Sequence, residues 1–285
     1  MTLVGRGHHV GMHVPSTDGV QVAVHDLGGS GAPLVLAHAT GFCARAYEPL
    51  AAELAGHFHV WGLDFRGHGD STSPDNERFE WDAMAEDLEA AVAGVADGPV
   101  AVFGHSLGGG AAMLLEHRRP GTFRWAYLFE PIILPAGYVS DGTSALPAGA
   151  ARRRPTFPSR GDAMVRYASR PPLNLLRADS LLAYVQHGFR DEPDGSVTLK
   201  CTPEHEAATF AATGKATIEM LTEITTPTTI AVGSPGPGWT PASLAPEQVA
   251  ALRNGRLEEQ PVLGHFGPLQ GPVTVAAGIL AASRA

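Results

Sequence analysis

The sequence predicts an α/β fold, with a mostly parallel β-sheet and helices on both faces, and three observations support this prediction. Short apolar runs such as residues 33–38 alternate with helical patterns such as residues 81–95. The alternation stops between residues 135 and 225 and then resumes. A serine between glycines stands where one strand ends and a helix begins. Alternating strands and helices favour parallel pairing through right-handed crossovers.

The elements follow one another along the chain. The first two strands flank residues 16–19, whose composition is typical of a turn, so we expect a hairpin. Continuous apolar runs predict the buried strands, and apolar residues at a spacing of three to four positions predict the helices. The predicted strands cover residues 10–14, 20–25, 33–38, 57–64, 100–103, 124–129, 228–232 and 256–262, and the predicted helices cover residues 47–54, 81–95, 110–117, 246–252 and 273–283.

The middle of the chain departs from this pattern. Residues 135–225 are rich in proline and contain helical pieces at 178–189 and 204–212, with no alternation typical of sheet. We therefore expect a core built from residues 1–134 and 226–285. A helical cap at residues 135–225 would interrupt this core.

Charge and composition limit the classes of partner. Twenty Lys and Arg residues against 29 Asp and Glu give a net charge of −9, which argues against nucleic acid and anionic membranes. With no apolar leader and no apolar run of about 18 residues, the chain is expected to be cytoplasmic, as a monomer or homodimer. Cys43 and Cys201 provide neither a disulfide framework nor a metal-binding pattern. We expect no metal and no cofactor.

The Gly-His-Ser-Leu-Gly motif at residues 104–108 predicts a nucleophile elbow, because it joins the apolar run 100–103 to a helical stretch. Gly104 and Gly108 are needed because the tight turn leaves no room for a Cβ atom. This geometry would present the Oγ atom of Ser106 at the carboxyl end of the strand, above a helix N-terminus. Ser106 is therefore the predicted nucleophile.

A serine hydroxyl is a weak nucleophile without a base, and His265 is the predicted base. It follows the last predicted strand, and loops at the carboxyl edge of a parallel sheet converge where ligands bind. His105 neighbours Ser106 in the sequence, but its side chain should point away from the serine. Structural roles explain His38 and His68 better than the role of catalytic base does.

The base needs a carboxylate that orients it and stabilises its charged form. The loop after residue 232 is the usual place for this acid, yet residues 233–246 contain no carboxylate. Glu130 ends the strand that follows the elbow helix, also at the carboxyl edge, and is the predicted acid. Asp64, Asp162 and the absence of any acid are the alternatives.

Acyl transfer also needs preorganised donors for the oxyanion. We expect the backbone N–H groups of Leu107 and Thr40 to supply them. Phe42, Trp239 and Phe266, together with the cap, are predicted to line a mostly apolar substrate pocket. Ordinary core packing is the alternative role for each of these aromatic residues.

These segments together resemble the α/β-hydrolase superfamily over nearly the whole chain. The matching segments are the elbow, His38-Ala-Thr-Gly-Phe42 in place of the family's H-G-x-x oxyanion loop, residues 64–71 with the family's D-x-R-G-x-G-x-S pattern, and Gly264-His265-Phe266. The resemblance implies an α/β-hydrolase fold with an eight-stranded sheet and a helical cap inserted after strand six. It also implies structural roles for Asp64 and Arg66. Ala39 replaces the family's usual glycine, and Glu130 matches members that carry the acid after the sixth strand.

A serine at the elbow excludes the members that attack with a carboxylate, namely haloalkane dehalogenases and epoxide hydrolases. Cleavage of esters, lactones, thioesters, activated amides and carbon–carbon bonds stays open, as does perhydrolysis. We expect a serine hydrolase that cleaves a carboxylic ester or lactone of a small, largely apolar substrate through an acyl-enzyme. The alternatives are a thioesterase, an acyl-transferring or cyclising enzyme, a carbon–carbon bond hydrolase, and a non-catalytic small-molecule binding protein on the same scaffold.

Overall fold

The computed structural model describes residues 11–138, 145–234 and 240–284. The predicted strand start at Val10 lies outside these ranges. The strands are β1 Met12–Pro15, β2 Gln21–Gly29, β3 Ala32–Ala37, β4 Phe58–Leu63, β5 Val100–His105, β6 Phe123–Phe129, β7 Ile133–Leu134, β8 Thr156–Phe157, β9 Phe189–Asp191, β10 Val197–Leu199, β11 Ala216–Thr217, β12 Thr228–Gly233 and β13 Gly255–Gln260. The α-helices are α1 Glu48–Leu54, α2 Trp81–Val95, α3 Leu107–Arg118, α4 Leu146–Ala151, α5 Arg160–Ala168, α6 Ala178–His187, α7 Pro203–Ala211, α8 Ala245–Ala251, α9 Gly267–Gln270 and α10 Pro272–Ala282. Short 3-10 helices cover Ala44–Tyr47, Leu173–Leu175, Glu219–Glu223 and Pro241–Leu244.

Eight strands form one sheet in the order β1-β2-β4-β3-β5-β6-β12-β13. The β1–β2 and β2–β4 pairs are antiparallel, and the β4–β3, β3–β5, β5–β6, β6–β12 and β12–β13 pairs are parallel. The predicted fold class, a mostly parallel eight-stranded sheet, is therefore confirmed. The parallel strands bring the segments after β3, β5, β6, β12 and β13 to one edge of the sheet.

Two apolar cores pack on the two faces of this sheet. Trp81 and Leu88 of α2 and Leu115 of the almost wholly buried helix α3 lie in one core. Leu50 of α1 and Ile279 of α10 lie in the other core. Helices on both faces explain why β3 and β5 read as continuous apolar runs. Within the described ranges, no helix combines the length and the apolar character that crossing a bilayer would require.

The segment between β6 and β12 is helical only in part. It contains α4 to α7, but β8, β10 and β9 form a three-stranded antiparallel sheet, and β11 pairs with β7 in parallel. The helical cap that the sequence predicted therefore also contains short strands, which the absence of sheet-like alternation did not indicate. Phe157, Tyr167 and Tyr184 of this segment share an apolar core with Phe42, so it packs on the loop after β3.

Candidate active site

Ser106 occupies the sharp turn between β5 and α3. Its backbone has φ +54° and ψ −109°, a conformation that costs of order 1–3 kcal/mol and is found mainly at functional sites. A Cβ atom on Gly104 would lie 2.7 Å from the backbone of Gly109, and one on Gly108 would lie 2.1 Å from the carbonyl oxygen of Ala37. Both glycines are therefore needed on steric grounds, as predicted for an elbow.

The carboxylate of Glu130 joins two loops at the carboxyl edge of the sheet. Its Oε2 atom lies 2.7 Å from Nδ1 of His265, and its Oε1 atom accepts a hydrogen bond of 3.0 Å from the Gly233 N–H. Glu130 is 1% exposed and has φ +41°, so its backbone is also held in an unusual conformation. Because Nδ1 of His265 donates to this carboxylate, Nε2 is the ring nitrogen left to accept a proton.

Hydrogen bonds connect the segment around Ser106 to the end of β6 and to the loop that carries His265. The Ser106 N–H donates to the carbonyl of Phe129, the residue before Glu130, at 3.0 Å. The neighbouring side chain, His105, lies 2.8 Å through Nε2 from the carbonyl oxygen of His265, and the two rings are 5.2 Å apart between centroids. Among the described residues, no hydrogen bond joins the Ser106 hydroxyl to the His265 ring, whose Nδ1 contacts Glu130.

His105 and Tyr47 form a relay that the sequence did not reveal. Since a carbonyl only accepts, Nε2 of His105 must donate to His265, and Nδ1 accepts at 2.7 Å from the Tyr47 hydroxyl. The Ala39 N–H donates in turn to Tyr47 at 3.2 Å. Burial lowers the pKa of His105 well below its usual range, which keeps the ring neutral. The relay thus connects the loop after β3 to the loop that carries His265.

The alternative acids are engaged elsewhere. Asp64 accepts from the Ala44 N–H at 2.7 Å and lies 2.7 Å from Nε2 of His25. Asp162 belongs to the exposed first turn of α5, where its carboxylate accepts from the hydroxyl of Ser159. Within the described ranges, Glu130 is the carboxylate that contacts the His265 ring.

Three further residues have structural partners, as the family resemblance and the loop positions suggest. The Arg66 guanidinium is fully buried and donates to both carboxylate oxygens of Asp87, at 2.7 and 2.9 Å. His38 donates through Nδ1 to the Ala39 carbonyl at 2.8 Å. His68 donates through Nδ1 to the carbonyl of Arg66 at 3.0 Å.

Among the described residues, His25, Asp64 and Asp70 are the group whose possible ligand atoms lie within 4.8 Å of one another. Protein groups already occupy these atoms. Burial opposes a charge on His25, but the adjacent Asp64 carboxylate outweighs burial and raises the pKa of His25. Lys200 pairs with Asp70. We therefore assign an ion-pair role to this group.

The loop after β3 forms a tight turn beside the elbow. The Phe42 N–H donates to the Ala39 carbonyl at 3.1 Å, and Gly41 has φ +80°, as the third residue of a type II turn requires. Thr40 is buried inside this turn. Leu107 is the first residue of α3, so its N–H has no partner within the helix. Leu107 follows Ser106 directly, and Thr40 lies in the turn after β3, the strand that pairs with β5. Their role as oxyanion donors stays a prediction.

Two of the predicted pocket residues lie together. The rings of Phe42 and Phe266 are 5.8 Å apart between centroids, and the Phe266 ring also contacts the His265 ring at 5.5 Å. Phe42 is 6% exposed, so it is largely part of the core as well. Trp239 lies outside the described residues.

This fold, with a strained serine at an elbow beside a histidine–carboxylate pair, is that of a hydrolase. The chain belongs to the alpha/beta hydrolase family, whose model matches residues 34–277. A curated relative, (E)-2-((N-methylformamido)methylene)succinate hydrolase of Acinetobacter baylyi, is 38% identical over 84 residues. That match covers 28% of this chain and 30% of the relative. A putative non-heme haloperoxidase of Mycobacterium phage D29 is 36% identical over 40% of each chain. The matches therefore span less than half the length of these relatives.

Solved structures share the fold over nearly the full length. E-2-(acetamidomethylene)succinate hydrolase has a TM-score of 0.78 and 21% identity, covering 95% of this chain and 99% of its own. The thioesterase domain from the curacin biosynthetic pathway has a TM-score of 0.74 and 21% identity. The match covers 94% of this chain and 97% of the thioesterase domain. At this level of identity the similarity concerns the fold alone.

Proposed function

We propose that the protein is a serine hydrolase that cleaves a carboxylic ester or lactone of a small, largely apolar substrate. The observation that carries the proposal is the 2.7 Å contact between Nδ1 of His265 and Glu130, beside the strained elbow of Ser106. A binding protein would have no use for a buried carboxylate that fixes the tautomer of a histidine at this edge.

The proposed reaction proceeds in two stages. The Ser106 hydroxyl attacks the acyl carbon while Nε2 of His265 removes its proton, and Glu130 stabilises the imidazolium that forms. The N–H groups of Leu107 and Thr40 hold the oxyanion, and such a donor contributes about 3 kcal/mol to the stability of the transition state. His265 then protonates the leaving group, and water hydrolyses the acyl-enzyme in the second stage.

An activated amide is the second candidate substrate class. The name of the Acinetobacter baylyi relative describes hydrolysis of an N-methylformamido compound, and this favours an activated amide as substrate. The same acyl-enzyme mechanism serves thioesters, acyl transfer or cyclisation. The apolar contact between Phe42 and Phe266 favours an apolar acyl group in each case.

The test is hydrolysis of p-nitrophenyl butyrate, together with labelling by a fluorophosphonate. We expect a burst of p-nitrophenol and covalent labelling in the wild type, and the loss of both in Ser106→Ala. Ser180→Ala is a matched control, because Ser180 is buried on α6 and its Oγ has no hydrogen-bond partner among the described residues. This control should keep both activities. A wild type that is inert toward a panel of esters, lactones and activated amides, and toward the probe, would favour a binding protein.

A further inference from the structure

Three residues of the segment between β6 and β12, two of them buried and one half-buried, form a polar cluster on the loop after β3. We call the cluster of Arg153, Tyr184 and Glu206 the loop latch. Arg153 follows the C-terminus of α4, Tyr184 lies on α6, and Glu206 lies on α7. Tyr184 is 2% exposed and Glu206 is 7% exposed. Buried polar groups of this kind are costly unless they are paired, so their partners define what the latch holds.

The latch ends on the backbone of Gly41. Arg153 pairs with the Glu206 carboxylate through Nη1 and donates through Nη2 to the Tyr184 hydroxyl at 2.8 Å. The Tyr184 hydroxyl donates in turn to the carbonyl oxygen of Gly41 at 3.1 Å. The Tyr184 ring also packs on the Phe42 ring, with centroids 4.9 Å apart.

The fit at Gly41 is close. A Cβ atom at this position would lie 2.6 Å from Oε1 of Glu206 and 3.3 Å from Nη1 of Arg153. The left-handed backbone of Gly41, with φ +80°, favours glycine, and a Cβ atom there would displace the Glu206 carboxylate where the latch meets the loop.

The position of the Thr40 N–H follows from these contacts. The turn is fixed at its start by the bond from the Ala39 N–H to Tyr47, and within itself by the bond from Phe42 to Ala39. The bond from Tyr184 to Gly41 fixes it on the outer side. Donors contribute to catalysis only when they are held in place before the reaction.

We propose that Tyr184 is a positioning residue for the oxyanion hole, and that Arg153 and Glu206 hold its hydroxyl in place. The claim that Tyr184 supports catalysis rests on the proposed function, whereas the claim that it holds the loop does not. It makes the inserted segment part of the machinery for the reaction, in addition to any role in covering the substrate.

A matched pair of variants tests the proposal. Tyr167 stacks on Tyr184 and accepts from the same Nη2 of Arg153 at 3.2 Å, but its hydroxyl does not bond to the loop. Tyr184→Phe and Tyr167→Phe therefore each remove one acceptor of Arg153. Only Tyr184→Phe also releases the carbonyl of Gly41. Urea unfolding of both variants shows whether they are comparably stable.

We expect hydrogen–deuterium exchange of the peptide covering residues 39–43 to rise at least threefold in Tyr184→Phe and to stay unchanged in Tyr167→Phe. For the ester, kcat should fall about tenfold in Tyr184→Phe with KM within twofold, because a loosened donor is still present for part of the time. Tyr167→Phe should keep kcat within twofold. If Tyr184→Phe does not fold, Glu206→Gln should give the same two changes at smaller size.

Equal exchange and equal kcat in the two tyrosine variants would overturn the proposal. So would a fall in kcat without any change in exchange, because the effect would then not pass through the loop. If the wild type lacks all acyl-cleaving activity, the proposed function fails. The exchange comparison still decides whether Tyr184 holds the loop.

Discussion

Glu130 has two tasks at the candidate site, because its two oxygens serve different partners. Oε2 contacts Nδ1 of His265 at 2.7 Å and Oε1 accepts from Gly233 at 3.0 Å. An amide in its place has one oxygen and one NH2 group. Whichever way it is oriented, the NH2 group faces either the Gly233 N–H or the donor side of His265, so it cannot serve both.

We therefore expect Glu130→Gln to lower kcat by about 10³-fold to 10⁴-fold, since the imidazolium loses its counter-charge and its fixed orientation. The melting temperature should fall by only a few degrees, because a single hydrogen bond is lost. Steady-state kinetics and calorimetry measure the two effects. Asp162→Asn, which alters an acid left open by the sequence, should keep the wild-type kcat. A Glu130→Gln variant with near-wild-type kcat would mean that the acid is another group.

The positions of residues along the chain indicated the candidate site residues, but they did not indicate which side chains bond to one another. Ser106, Glu130 and His265 each follow a predicted strand, and carboxyl ends of parallel strands meet at one edge, so their proximity could be predicted. Their catalytic roles stay predictions. The bond between Tyr47 and His105 spans 58 residues without any local pattern, so nothing in the sequence indicated it.

The elbow depends on the close approach of α3 to β3. The carbonyl of Ala37 would lie 2.1 Å from a Cβ atom on Gly108, a distance that neither backbone can accommodate without moving. We expect Gly108→Ala to destabilise the protein by about 3 kcal/mol or more, measured by urea unfolding. Gly98→Ala is the control, because a Cβ atom there meets nothing within 4 Å. A loss below about 1 kcal/mol in Gly108→Ala would contradict the close approach.

The elements that the sequence predicted well are the long ones. The helix at Trp81–Val95 is long enough for its apolar periodicity to show, and the strand Val100–His105 begins with a continuous apolar run that marks a buried strand. The strands β8, β9 and β10 have two or three residues each, and β8 pairs with β10 across some 40 positions of sequence. Alternation cannot be detected over so few residues. This is why the sequence indicated helices but no strands in the inserted segment.

Buried histidines make the stability of the protein depend on pH. His38, His68 and His105 are fully buried, and burial lowers the pKa of each, that of His68 to about 3. As the pH falls below about 6.5, these residues bind protons in the unfolded chain but not in the folded one, so the free energy of unfolding falls. His25 acts in the opposite direction, because its raised pKa stabilises the fold at low pH and the effect is lost as the pH rises.

His68 allows one of these contributions to be isolated. Its Nδ1 donates to the Arg66 carbonyl, and the side-chain NH2 group of an asparagine can take over that bond. Between about pH 5.5 and 4, the wild-type His68 gives the unfolded state one extra proton, which lowers stability by about 1.4 kcal/mol per pH unit. In His68→Asn this term is absent, while His25, His38 and His105 contribute equally to both proteins and cancel in the comparison.

Urea unfolding from pH 4 to 8.5 should therefore show a constant difference in stability above pH 7.5 and a difference that shrinks steadily below pH 6. Parallel curves over the whole range would show that the ring of His68 binds its proton over the same pH range in the folded and unfolded states, which its lack of exposure and its contact with the His38 ring at 5.2 Å argue against.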